Sequence, residues 1–141
     1  MNEKTVDILL AEDNLADVVL FREALSNIGW KFNLHVVCDG MDTLDFLRRR
    51  NSHSDAPRPD MLVMDNNMPR KTGMDVLTEI MNDTSLTGIP VIIMSGSERE
   101  RSMMADFGLP EEHYIIKPSS FSAYVEVAKQ IEGIWRKAAN R

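Results

Sequence analysis

Short apolar runs punctuate the chain at Val6-Asp7-Ile8-Leu9-Leu10-Ala11, Leu34-His35-Val36-Val37, Met61-Leu62-Val63-Met64, Val91-Ile92-Ile93-Met94 and Tyr114-Ile115-Ile116. Runs this short, rich in Val and Ile, predict strands buried on both faces of a parallel sheet. Helical periodicity fills the gaps. Val18, Phe21, Leu25 and Ile28 share one face of a helix that opens after Asp13-Asn14 and closes at Gly29. Asp39 caps a second helix with Leu44 and Leu47 inward. A third starts near Gly73-Met74 and carries Val76, Leu77, Ile80 and Met81. Ser97-Glu98-Arg99-Glu100 predicts a capping box for a fourth, ending at Gly108. The last spans 120–137, with Phe121, Tyr124, Ala128, Ile131 and Trp135 on one face. Strand and helix alternate five times, which predicts an α/β fold: a doubly wound five-stranded parallel sheet with helices on both faces. Right-handed crossovers make 2-1-3-4-5 the natural strand order.

A length of 141 residues fits one domain, expected over 1–141 with no output domain attached. No apolar run approaches the roughly 20 residues of a membrane span, and the first residues lead straight into a strand, so neither membrane insertion nor a leader peptide is expected. The single cysteine, Cys38, offers no internal disulfide, which favours a cytoplasmic location. The net charge of −6 argues against direct nucleic-acid binding. The polar stretch 50–59 reads as a mobile surface loop. Several of the methionines (Met61, Met64, Met74, Met81, Met94) are expected to fill core gaps. His35, His53 and His113 show no ligand spacing and are assigned no metal. The run Glu98-Arg99-Glu100-Arg101 reads as a solvated helix face with local ion pairs, or as part of a docking surface beside Ser95.

Four runs end on chemically useful groups: Glu12-Asp13, Asp65, Ser95 and Lys117-Pro118. In open parallel sheets ligands bind outside the carboxyl ends of the strands, so these residues converge. Two carboxylates about 4 Å apart repel by roughly 4 kcal/mol at an effective dielectric near 20; such a group takes up protons or holds a cation. Oxygen ligands without His or Cys favour magnesium over zinc. Glu12-Asp13 alone would suit a helix cap, and Asp13 or Asn14 could serve as that cap; Asp65 at the next strand end favours the cation. Asp65 is the candidate nucleophile, since a carboxylate attacking a phosphoryl group forms an acyl phosphate. Ser95 would supply a hydroxyl, and Lys117 a point cation, to the phosphoryl oxygens.

The ordered set Glu12-Asp13, Asp65-Asn66-Asn67-Met68-Pro69 with Gly73, Ser95 and Lys117-Pro118 resembles the receiver domain of two-component response regulators over essentially the whole chain. The resemblance implies a flavodoxin-like (βα)5 fold, with phosphorylation of Asp65 from a histidine-kinase phosphohistidine. It implies magnesium on Asp13, Asp65 and the Asn67 backbone carbonyl, with Glu12 acting directly or through water. Ser95 becomes the switch hydroxyl, Tyr114 the aromatic whose rotamer follows it, and Lys117-Pro118 a cis bond. Asn66 departs from the family, where a hydrophobic or aromatic residue is commoner after the acceptor. Asn67 and Ser97 would flank the phosphoryl group and position or exclude the hydrolytic water. Glu12-Asp13-Asn14 with Ala16-Asp17, the 68–73 motif, the long loop before the third strand and Ile134-Trp135 are similar to single-domain regulators of bacterial phytochrome-type kinases. With no output domain, the fourth helix, fifth strand and fifth helix would form the partner or homodimer face. The alternative function is a magnesium-dependent phosphohydrolase of the haloacid-dehalogenase type. That class places a second Asp two residues after the nucleophile as general acid, where this chain has Asn67. A nucleotide- or flavin-binding domain would want a Gly-rich loop after the first strand, and Glu12-Asp13-Asn14-Leu15 is none.

Overall fold

Alternate residues of the central strands face opposite sides, and both sides are apolar, so each strand must be covered twice. The computed structural model describes residues 4–139 and has this arrangement. The elements run β1 (Val6–Ala11), α1 (Leu15–Asn27), β2 (Phe32–Val37), α2 (Gly40–Arg48), β3 (Met61–Asp65), α3 (Gly73–Met81), β4 (Val91–Ser95), α4 (Glu98–Met104), β5 (Tyr114–Ile116) and α5 (Phe121–Ala139). All pairings are parallel, in the order β2-β1-β3-β4-β5. Ile8, Leu10, Met61, Val63, Ile92 and Met94 face α1 and α5, where Phe21, Leu25, Tyr124, Ala128 and Ile131 close over them. Leu9, Ala11, Leu62, Met64 and Ile93 face the other way, under Leu44 and Leu47 of α2, Val76, Leu77 and Ile80 of α3, and Met104 of α4.

The helix starts are set by side-chain caps. Asn14, Asp39, Thr72 and Ser97 each accept a backbone N–H from the first turn they open, and Thr72 with Asp75 makes a full capping box. Gly29, at φ +74°, turns the chain after α1.

Several expectations are corrected. Only β3 and β4 are buried throughout; β1 is buried except at half-buried Asp7, β2 is an edge strand with Asn33 and Val36 exposed, and β5 ends on exposed Ile116. Burial on both faces needs neighbours on both edges. Met81 and Phe121 are solvent-exposed, while Val127 and Ile134 take core places on α5. α4 ends at Met104 rather than Gly108, because residues 105–108 are all exposed and no packing sustains another turn. The Ser97 cap forms, but the Glu100 carboxylate turns to the Gly96 N–H instead of closing the box. The 50–59 stretch lies mostly on the surface as expected, with two tethers: His53 Nε2 lies 2.7 Å from Asp42 Oδ1, and Arg58 donates to the Ser85 carbonyl at 2.6 Å. The His35 and His53 rings both pack on Phe46. The last helix, expected to end at Lys137, continues to Ala139, and Asn140 and Arg141 lie outside the described residues.

Two glycines separate backbone constraint from propensity. A Cβ at Gly40 would overlap the Lys71 backbone carbonyl, because α2 abuts the loop between β3 and α3 there. At exposed Gly133 in α5 it would meet nothing within 4 Å. Gly40→Ala is expected to cost about 1–3 kcal/mol through overpacking. Gly133→Ala should gain about 0.5–1 kcal/mol from helix propensity. Urea denaturation of both variants measures the two signs.

Candidate functional site

The site grows out of the sheet's own hydrogen bonding, which runs one step past the strands. Glu12 N–H donates to the Val37 carbonyl at 2.9 Å, Asn66 N–H to Met94 at 2.9 Å, and Lys117 N–H to Ser95 at 2.7 Å. Three polar residues are thereby fixed with backbone precision along one edge of the sheet, and Asp65, paired with Met94, stands between them. Carboxylate oxygens of Glu12, Asp13 and Asp65 all lie within 4.8 Å of one another. Glu12 and Asp65 are buried, while Asp13 is exposed.

The Lys117 ammonium holds the cluster together. Its Nζ lies 2.7 Å from Glu12 Oε1, 2.8 Å from Asp65 Oδ2 and 3.2 Å from Asp17 Oδ2. Burial alone would depress the lysine pKa, but hydrogen bonds to Asp65 and Glu12, and their charges, outweigh it and hold the pKa above its ordinary value. Burial pushes the Glu12 carboxyl above its usual range; hydrogen bonds from Lys117 and the Asn14 N–H offset part of that, and the Asp65 charge adds to the rise. The second Asp65 oxygen accepts the Asn67 N–H at 3.0 Å, which closes the 65–67 turn onto the carboxylate.

Asp65, Glu12, Asp13 and Lys117 thus meet as expected. Ser95 is fully buried at the next strand end, but its hydroxyl donates to the Ser97 carbonyl at 3.2 Å and not to Asp65. Tyr114 already occupies the interior, where its hydroxyl accepts the Leu109 N–H at 3.3 Å. The peptide bond between Lys117 and Pro118 is trans, the lower-energy form for X-Pro, against the expected cis. Asn14, not Asp13, caps α1, which removes the capping alternative for Asp13.

Asp17 was missed as a site residue. It sits one turn into α1, so its carboxylate points back over the strand ends to Lys117 and accepts from the Tyr124 hydroxyl at 2.9 Å. Burial, and then Asp17, raise the pKa of that phenol. The signal was its place in the first turn after a strand-end acidic pair. Glu100 was read as solvated. Its oxygens instead accept from the side-chain amides of Asn66 and Asn67, and Asn66 Oδ1 accepts the Met74 N–H of α3. The unusual Asn66 is thereby explained: it joins the starts of α3 and α4.

The donor set is made only of carboxylate oxygens, which suits a hard divalent cation. Because Asp13 is exposed and Lys117 already offsets the cluster charge, Asp13→Asn should change stability by no more than about 0.5 kcal/mol without divalent cation. Magnesium at a hundredfold excess over its dissociation constant should stabilise the wild type by about 2.7 kcal/mol through mass action. Most of that gain should vanish in the variant. Thermal melts with and without magnesium test this, and an equal gain in both proteins would remove Asp13 from the cation site.

Comparison with known proteins places this geometry. The family model described as the response regulator receiver domain matches residues 8–129. The response regulator Rcp1 of Synechocystis sp. is 31% identical over 128 residues, covering 91% of this chain and 87% of that protein. Among solved structures, the phosphorylated cyanobacterial phytochrome response regulator RcpA superposes with a TM-score of 0.81 at 34% identity, covering 94% of each chain. The Mn(2+)-bound form of Rcp1 superposes with a TM-score of 0.77 at 30% identity, over 92% of this chain and 94% of that one. Nothing in these comparisons favours a phosphohydrolase, and Asn67 offers an amide where that class carries its acid. The chain belongs to the response regulator receiver domain family and is a phosphorylation-dependent signalling switch of the two-component type.

Proposed function

We propose that Asp65 is the phosphoacceptor, supplied by a sensor histidine kinase of the phytochrome type. One observation carries this reading. A buried carboxylate at a strand end is held on one oxygen by Lys117 and on the other by the Asn67 N–H. An Asp65 oxygen attacks the phosphorus of the phosphohistidine, the P–N bond breaks, and the imidazole leaves with its electron pair and takes a proton. The product is an acyl phosphate on Asp65. Glu12, Asp13, Asp65 and the Asn67 carbonyl would hold magnesium, which would neutralise the negative charge that develops during transfer. Lys117 transfers one of its three donors from a carboxylate to a phosphoryl oxygen. Ser95 rotates from the Ser97 carbonyl to donate to another.

The receiver would act in the cytoplasm, through partners rather than through direct nucleic-acid contact. Its state is then read from its surface. Met103 and Phe107 around the end of α4, with Ile116 of β5, are exposed apolar side chains on the α4–β5–α5 side. They support that side as the partner or homodimer face. Ser95 and Tyr114 would act as the switch, with α4, tied to Tyr114 through Arg101, carrying the change to that face.

Incubation with a small phosphodonor and magnesium should add one hydroxylamine-labile phosphoryl group by intact mass, and Asp65→Asn should abolish it. Equal labelling of the variant would refute the assignment. The output prediction is separate. Phosphorylation should raise the sedimentation coefficient or enable partner capture, and Met103→Glu should block that response while labelling proceeds at the wild-type rate. If neither assembly nor capture responds to phosphorylation, this face is not the output.

A further inference from the structure

The carboxylate of Glu100 is held by neutral donors alone. Oε1 accepts the Gly96 N–H at 3.3 Å, Asn66 Nδ2 at 3.2 Å and Asn67 Nδ2 at 3.3 Å, and Oε2 accepts Asn67 Nδ2 at 3.4 Å. No ion pair among the described residues includes it. Nearby Arg101 is engaged by Glu98, Glu111 and the Tyr114 carbonyl. Every one of these bonds is long for its type, as when one anion is spread over several donors. A simple helix cap would send the carboxylate to the Ser97 N–H; this one reaches past it.

The donors sit against the chemistry. Asn66 and Asn67 directly follow Asp65, and the backbone N–H of Asn67 is already on an Asp65 oxygen. Gly96 directly follows Ser95, and a Cβ there would lie 3.4 Å from Asn67 Nδ2. A phosphoryl group on Asp65, extending toward Ser95, arrives beside this same set of N–H groups. It carries about −1.5 to −2 charge and three strong acceptor oxygens.

We propose that Glu100 is a built-in competitor for the phosphoryl group. In the unphosphorylated protein it occupies amide donors that the phosphoryl oxygens need, and phosphorylation expels it. The inference rests on the reading of Asp65 as phosphoacceptor and adds a positioning residue to it. It also gives the signal a route. Glu100 N–H is bonded to Ser97 Oγ, and the Ser97 carbonyl takes the Ser95 hydroxyl. Departure of the Glu100 carboxylate and rotation of Ser95 release the same loop together. The adjacent Arg101 is tied to the Tyr114 carbonyl at 2.7 Å, so movement of the first turn of α4 pulls on the start of β5.

Glu100→Gln keeps the size and removes the charge; Glu100→Ala removes the contact. Two readouts apply, both at saturating magnesium. The first is the affinity for beryllofluoride, a phosphoryl mimic. The second is the rate of Asp65 labelling by a small phosphodonor, followed by intact mass. Both variants should bind beryllofluoride at least about fivefold more tightly and be labelled at least about fivefold faster than wild type, the low end of ordinary coupling between sites. A residue that only caps α4 would lower the melting temperature and leave both quantities unchanged. If wild type is labelled at Asp65 while neither variant gains in affinity or rate, the inference fails and the phosphoacceptor reading stands. If wild type is not labelled at all, the phosphoacceptor reading fails and takes the inference with it.

Discussion

The ammonium of Lys117 among Glu12, Asp65 and Asp17 is the interaction on which the rest depends. A parallel sheet brings the ends of its central strands within a few ångströms of each other, and here those ends carry acids. Two such charges about 4 Å apart cost roughly 4 kcal/mol at an effective dielectric near 20, and Glu12 and Asp65 are both buried. One ammonium faces all three carboxylates, hydrogen-bonded to Asp65 and ion-paired with Glu12 and Asp17. The same charges that make the cluster costly make it a site for a divalent cation and a phosphoryl group. In the proposed phosphorylated state Lys117 would give up a carboxylate and gain a phosphoryl oxygen in exchange. Tyr124 adds a constraint on the far side: its buried hydroxyl fixes Asp17, and through it α1 is tied to α5.

The sequence made legible what depends on period and on strand ends. Runs such as Leu62-Val63-Met64 and Ile92-Ile93-Met94 alternate between two apolar layers, so apolarity without alternation was the right signal for central strands. Asp65 and Lys117 could be placed because each follows such a run directly, and the ladder fixes the residue after a strand nearly as firmly as the strand itself. What was not legible depends on side-chain direction beyond the first turn. Asp17 and Glu100 both look like helix-surface acids by spacing, yet both carboxylates turn back over the sheet. Length of pattern misled at α4, where exposed residues 105–108 continue the helical composition without a face to bury.

Asn66 illustrates a departure from the family pattern that costs little because every polar atom finds a partner. Its oxygen accepts the Met74 N–H, and its nitrogen donates to Glu100. A hydrophobic residue there would leave the Met74 N–H of α3 and the Glu100 carboxylate to other acceptors and donors. Buried or half-buried polar groups are stable when fully paired and destabilising when half paired. The pair of Asn66 and Glu100 is therefore better regarded as one unit than as two surface residues.

The distribution of packing decides where a signal can travel. Asp65 stands on β3, buried along its whole length and flanked by two strands, while Glu12 and Lys117 are held by backbone bonds to the ends of β2 and β4. Nothing there yields without disturbing both hydrophobic layers. On the β4–β5 side the structure thins out: α4 has a single buried residue, Met104, and β5 is a three-residue edge strand. Segments with few buried apolar contacts open at the lowest free energy. A charge placed on Asp65 meets a rigid floor and a loosely held wall, and the wall is the one bonded to Ser95 and Glu100. Motion of α4 against β5 is thus the response of lowest cost, whatever partner reads it.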